Sequence, residues 1–216
     1  MDKIIEKTIS NLAKNNIQGI YAETKEDALN ITETLLEENS VISAGGSMTL
    51  SECKITDLLK SGKYNFLDRS IPGISPEEVR DIYIKTFDAD SFLGSANAIT
   101  EDGYIYQVDG TGNRVSAMIF GPKQVIIVAG KNKIVKNADE AIKRVKEIAA
   151  PLNAKRLNCE TYCSKTGKCI SLNSENTEIP NGCSSESRIC ADYVFFGRQR
   201  IKNRIKVIIV NESLGY

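Results

Sequence analysis

Short apolar runs alternate along this chain with amphipathic stretches of helical period. Ile4, Ile5, Ile9 and Leu12 recur at helical spacing and predict a helix over residues 2–15. Residues 17–21 read as a short strand. Thr24 then caps a helix over 25–38, with Ala28, Leu29, Ile31, Thr32 and Leu35 available for its inner face. Residues 41–44 are an apolar strand that runs straight into Gly45-Gly46-Ser47. A helix follows over 48–60, ended by Ser61-Gly62, and residues 65–68 are a further strand. Ser75-Pro76-Glu77-Glu78 is a helix start reaching to about residue 87. The serine caps, the proline suits the first turn, and the two acids face the positive helix end.

Residues 91–94 begin the next buried element, and 104–108 form a strand after the Asp102-Gly103 turn. A short helix over 115–120 leads to Gln124-Val125-Ile126-Ile127-Val128-Ala129, which has the unbroken apolar character of a strand buried on both faces. A patterned helix over 137–149 is closed by Pro151. The core resumes with strands over 193–197 and 205–210. Helices alternating with short apolar strands predict an α/β fold: a largely parallel sheet covered on both faces, within a single domain over 1–216. Residues 159–190 interrupt this rhythm as a cysteine-rich insertion between sheet elements near the C-terminus. Its polar stretch over 171–182 is a candidate partner surface.

Charge narrows the function classes. The chain carries 28 basic and 28 acidic residues, so nothing supports an electrostatic grip on nucleic acid or an anionic membrane. Arg198, Arg200, Lys202, Arg204 and Lys206 alternate with apolar positions and read as the solvated side of strands. The N-terminus is charged and amphipathic, without the apolar core of a signal peptide, and no apolar stretch approaches a membrane span. A cytoplasmic location is expected, where thiols stay reduced.

Five of the 6 cysteines fall together: Cys159, Cys163, Cys169, Cys183 and Cys190. With no histidine in the chain, a metal bound here would rest on sulfur, with carboxylates as helpers. No Cys-x-x-Cys pair occurs. A disulfide-stapled subdomain and reduced thiols in a small core are the alternatives, and reducing surroundings weigh against the first. Cys53, in the helix after the first glycine pair, reads as a packing residue or a reactive thiol near a site.

Two loops look able to hold a ligand. In Gly45-Gly46-Ser47-Met48-Thr49-Leu50 the glycines allow close backbone approach, Ser47 and Thr49 offer hydroxyls, and a following helix start favours an anion. A tight capped turn is the plainer reading. The second region runs from Gly94 through Ser95, Asn97, Glu101, Asp102 and Gly103, then Asp109-Gly110-Thr111-Gly112-Asn113-Arg114. Asn97, Thr111 and Asn113 supply amides and a hydroxyl, Arg114 a clamp for a carboxylate or phosphate, and Glu101 or Asp102 a general base or nucleophile. A hairpin of turn-forming residues is the alternative. Without histidine, any proton transfer falls to a carboxylate or a cysteine.

Gly45-Gly46-Ser47-Met48-Thr49-Leu50, Ser95-Ala96-Asn97-Ala98-Ile99-Thr100-Glu101-Asp102-Gly103, Asp109-Gly110-Thr111-Gly112-Asn113-Arg114-Val115 and Gly121-Pro122-Lys123-Gln124-Val125 together resemble the LUD (lactate-utilisation, LutC/YkgG-like) family. Gly167-Lys168-Cys169 and Ser187-Arg188-Ile189-Cys190 resemble a cysteine-tailed subgroup from anaerobic bacteria. The resemblance implies a Rossmann-like fold of the sugar-phosphate isomerase and CoA-transferase type. It also implies a subunit or accessory of L-lactate oxidation to pyruvate, working beside iron–sulfur oxidoreductase subunits. Under it, Cys163, Cys169, Cys183 and Cys190 are the expected ligands of a [4Fe–4S] cluster or zinc, with Cys159 a spare or alternative ligand. A stand-alone enzyme on a small phosphorylated or acyl-CoA substrate is the other reading, and a ligand-binding module without turnover a third. A small anionic substrate and a second copy of the chain complete the expected partners.

Overall fold

A computed structural model describes residues 1–173 and 178–216. The middle of the predicted polar excursion, residues 174–177, lies outside the described residues.

Six strands form the central sheet: β1 (Gln18–Ala22), β2 (Val41–Ala44), β3 (Asn65–Phe66), β4 (Ser91–Gly94), β7 (Gln124–Gly130) and β10 (Ile205–Val210). They run in the order β1-β10-β7-β4-β2-β3, and every pairing is parallel. Period-two alternation divides their side chains between two cores. Val125, Ile127 and Ala129 of β7 join Val207 and Ile209 of β10 on one face, with Ile5 and Leu12 of α1 (Lys3–Lys14) and Met118 of α6 (Asn113–Ile119). Ile126, Val128, Ile208 and Val210 point the other way, onto Ala28 of α2 (Lys25–Leu35) and onto two short helices, α3 (Met48–Glu52) and α4 (Ile55–Leu59). With both faces buried, the central strands need continuous apolar runs, which is how they read in the sequence.

The helix starts follow the capping chemistry. Thr24 and Ser75 each accept from the third helical amide, and Asp27 and Glu78 return the bond to the cap amide. The second of these boxes opens α5 (Pro76–Lys85).

Three departures from the sequence reading have local causes. The helix expected over 48–60 is α3 and α4, broken at Lys54, whose φ of 56° is left-handed. The helix expected to stop at Pro151 continues through α7 (Ala138–Arg144), a π-helical turn (Val145–Ala149) and α8 (Ala150–Arg156). The wider turn changes the hydrogen-bond register just before Pro151, where the missing N–H would otherwise break a regular helix. The strands expected near 104–108 and 193–197 do not join the parallel sheet. They are β6 (Ile105–Asp109) and β9 (Asp192–Phe196), and with β5 (Ala98–Thr100) and β8 (Ile134–Val135) they form a second sheet, order β8-β5-β6-β9. Ile99, Ile105 and Phe196 turn one face of it into the main core, while Ala98, Tyr106 and Val108 pack under Ala141, Val145 and Ala149. The cysteine-bearing stretch, which includes α9 (Tyr162–Thr166), therefore connects α8 to a strand of this second sheet.

Candidate functional site

The carboxyl ends of β2, β3, β4 and β7 converge with the end of β6 on one cavity of about 330 Å³. Loops leaving the carboxyl edge of a parallel sheet are the expected place for ligands. The lining includes Gly46, Ser47 and Thr49 after β2, Arg69 after β3, Ser95 and Asn97 after β4, Lys133 after β7, and Asp109 to Arg114 after β6. Arg156, Leu157, Ile189 and Tyr216 complete the wall.

Lys133 lies at the bottom of this cavity and is only 3 % exposed. Its Nζ donates to Thr49 Oγ1 and Ser95 Oγ, each at 2.9 Å, and among the described residues it makes no ion pair. Burial, reinforced by the nearby Arg144 guanidinium, pulls its pKa from 10.5 down to about 7. An amine so placed holds a proton poorly at neutral pH and can take one from a bound molecule. The sequence reading missed it. Its signal was positional, because Lys131-Asn132-Lys133 leaves the most plainly buried strand of the chain at the ligand edge.

Arg114, the expected anion clamp, is occupied by the protein itself. Nη1 donates to Gln107 Oε1 at 2.8 Å, and Nη2 to the Val108 carbonyl at 2.6 Å and to Asn97 Oδ1 at 3.2 Å. Its Nε stands 3.6 Å from Asp109 Oδ2, which accepts the backbone amides of Arg114 and Val115 at 3.1 Å. Arg114 thus ties the β4 loop to the β6 loop and contributes positive potential without spare donors. Gly45 leaves room for it, since a Cβ there would meet Arg114 Cδ at 2.9 Å. Two further arginines serve the rim. Arg69 donates to Tyr83 Oη at 3.0 Å and Arg156 to Tyr216 Oη at 2.6 Å. Three guanidinium groups and the Lys133 amine face one acid, Asp109, in the cavity lining, which therefore favours an anion.

The other expected residues divide. Ser47, Thr49, Asn97, Thr111 and Asn113 come together here with Gly46. The Ser47 hydroxyl is used in capping α3, accepting from the Leu50 amide at 3.2 Å, and α3 has 5 residues, so the helix start adds little field. Thr111 Oγ1 donates to Asn113 Oδ1 at 2.7 Å. Glu101 and Asp102 are not among the lining residues. They sit on the β5–β6 turn against α1, where Glu101 Oε2 accepts from Lys7 Nζ at 2.8 Å and the Glu101 carbonyl accepts from Asn11 Nδ2 at 2.7 Å. A spacing argument could not separate them from Asn97, because the chain turns away between these residues.

The cysteines form a second locus. Cys163, Cys169, Cys183 and Cys190 line one small cavity of about 20 Å³ beneath Tyr106, Lys146 and Tyr193. All 6 cysteines are free thiols, and Cys159 is outside the cavity lining. Among the described residues no three cysteine or carboxylate side chains are already arranged to hold a metal ion. Cys53 packs in the core beside Leu50 and Ile55, where burial pushes its pKa up to about 11, which makes it a structural thiol.

Among the described residues no helix is long and apolar enough to cross a membrane. A profile of the LUD domain family matches residues 5–210. Among solved structures, a DUF162 family protein from Deinococcus radiodurans is similar over 97% of each chain, at 16% identity and a TM-score of 0.53. eIF2B beta from Chaetomium thermophilum aligns with 54% of this chain and 44% of its own, at 10% identity and a TM-score of 0.37. No curated protein matches this chain. The family match spans the parallel sheet, both ligand-edge loops and the cysteine-bearing stretch, and the chain belongs to the LUD domain family.

Proposed function

We propose that this LUD domain binds a small organic anion in its cation-lined cavity and exchanges a proton with it at Lys133. The carrying observation is the buried Lys133 amine, fixed by Thr49 and Ser95 and flanked by cations. In the lactate-utilisation reading, the ligand is the carboxylate of lactate or pyruvate. Arg69 and Arg156 attract the carboxylate, and neutral Lys133 accepts the hydroxyl proton as lactate becomes pyruvate. The two electrons and the second proton leave to an iron–sulfur oxidoreductase subunit working beside this chain.

The cavity volume favours a second reading. Space of about 330 Å³ is at the lower end for a drug-sized ligand and generous for a three-carbon acid, which suits a sugar phosphate or the end of an acyl-CoA. Thermal shift and calorimetry with L-lactate, pyruvate, inorganic phosphate, a sugar phosphate and an acyl-CoA separate the two. A ligand that binds the native chain alone raises its melting temperature. Hydrogen bonds to a charged group contribute about 1.5–3 kcal/mol, so Lys133→Met should weaken the true ligand roughly ten- to a hundredfold. No response to any of these anions, or equal binding by the variant, would sink the proposal.

A further inference from the structure

Four thiols of the cysteine-bearing stretch meet at one void. Cys163 is on α9, Cys169 follows that helix, and Cys183 and Cys190 come from the stretch leading into β9. No disulfide joins any of them.

The backbone around them is held in place by bonds of its own. Thr161 caps α9, and the Cys169 amide donates to the Lys146 carbonyl at 2.9 Å. Arg188 stitches the later stretch. Its Nε donates to the Cys190 carbonyl at 2.8 Å, Nη1 to the Cys183 carbonyl at 3.0 Å, and Nη2 to the Pro180 carbonyl at 2.7 Å and to Tyr193 Oη at 2.6 Å. A guanidinium inside the loop and an ammonium, Lys146, in the cavity wall would both offset the negative charge of ionised thiols.

We propose that Cys163, Cys169, Cys183 and Cys190 are the ligands of a single soft divalent metal ion of the zinc class. Size favours a lone ion over a cluster. The void between them, about 20 Å³, holds roughly one water-sized body, the scale of one ion. Four sulfur donors without imidazole select zinc-like ions over calcium or magnesium.

Purified full-length protein, stripped of metal under reducing conditions, would be titrated with zinc against a chromophoric chelator. One equivalent should bind. Cys183→Ser or Cys190→Ser should weaken it by at least about a hundredfold, the upper end of what losing a supporting outer-shell group costs. Cys159→Ser should bind as the parent does. Alkylation of the parent chain, read by mass spectrometry, provides a test that does not depend on the variants folding: zinc should protect Cys183 and Cys190 and leave Cys159 reactive. Failure to bind one zinc, unchanged binding in both serine variants, or protection of Cys159 instead would overturn the proposal. So would reconstitution with iron and sulfide to a stable cluster of four irons.

Discussion

Lys133 shows how one side chain acquires its properties from its surroundings. Burial and the neighbouring guanidinium penalise its charged form, while Thr49 and Ser95 give its amine fixed acceptors. The consequence for stability has a definite sign. The folded pKa is about 7 against 10.5 unfolded, so between these values the unfolded chain binds more protons. Stability from this residue therefore rises with pH from about 7 to 10.5, and below 7 the penalty is present in full. Denaturant melts should show this rise in the parent and lose it in Lys133→Met; identical profiles would refute the assigned burial. Gly103 is a second local constraint. Its φ is +83°, and a Cβ would fall 2.4 Å from the Asn11 backbone carbon. Gly103→Ala should cost about 2–4 kcal/mol, combining left-handed strain with overpacking. A loss below 1 kcal/mol in chemical denaturation, on the order of a surface change, would show that α1 yields instead.

At the level of elements, legibility followed length and cap chemistry. Thr24 and Ser75 announced their helices because a capping box is local, needing residues three apart and no tertiary information. The strand at Gln124–Gly130 was equally plain, as a strand buried on both faces has no polar positions to confuse it. The second sheet was not legible. β5 has 3 residues and β8 has 2, too few for a period to appear, and β6 and β9 carry the same apolar signal whichever sheet they join. That ambiguity also hid the geometry of the site, since the turn at Glu101 belongs to the second sheet and points to α1, away from the cavity. The loops after β2, β4 and β6, which line the cavity, stood out in the sequence by their small and hydroxyl-bearing residues. Lys133, Arg69 and Arg156 were not, because a lone cation has no pattern until the fold places it. The second sheet also supplies a test of its own. Tyr106 is 1 % exposed and stacks on Phe195 with ring centroids 4.3 Å apart. Tyr106→Ala should cost about 3–5 kcal/mol, as for other large aromatic truncations in a core, measured by equilibrium unfolding.

For the molecule as a whole, Ile189 is the feature with the widest reach. It lines the anion cavity, its backbone lies against Gly110, and its neighbour Cys190 faces the thiol cavity. One residue on, the Ala191 amide donates to the Asp109 carbonyl at 2.8 Å. A metal ion that pulls on the Cys190 peptide therefore also pulls on a wall of the other cavity and on the turn that carries Asn113 and Arg114. Two occupants that bias the same peptide segment are bound by reciprocity: the factor by which zinc alters anion affinity equals the factor by which the anion alters zinc affinity. Titrating zinc with and without saturating phosphate, and phosphate with and without zinc, should give the same factor, at least about fivefold. Two independent affinities would mean that Ile189 moves freely of its neighbour. A matched factor would make the thiol cluster a gauge of metal supply that sets how strongly this domain holds its anion.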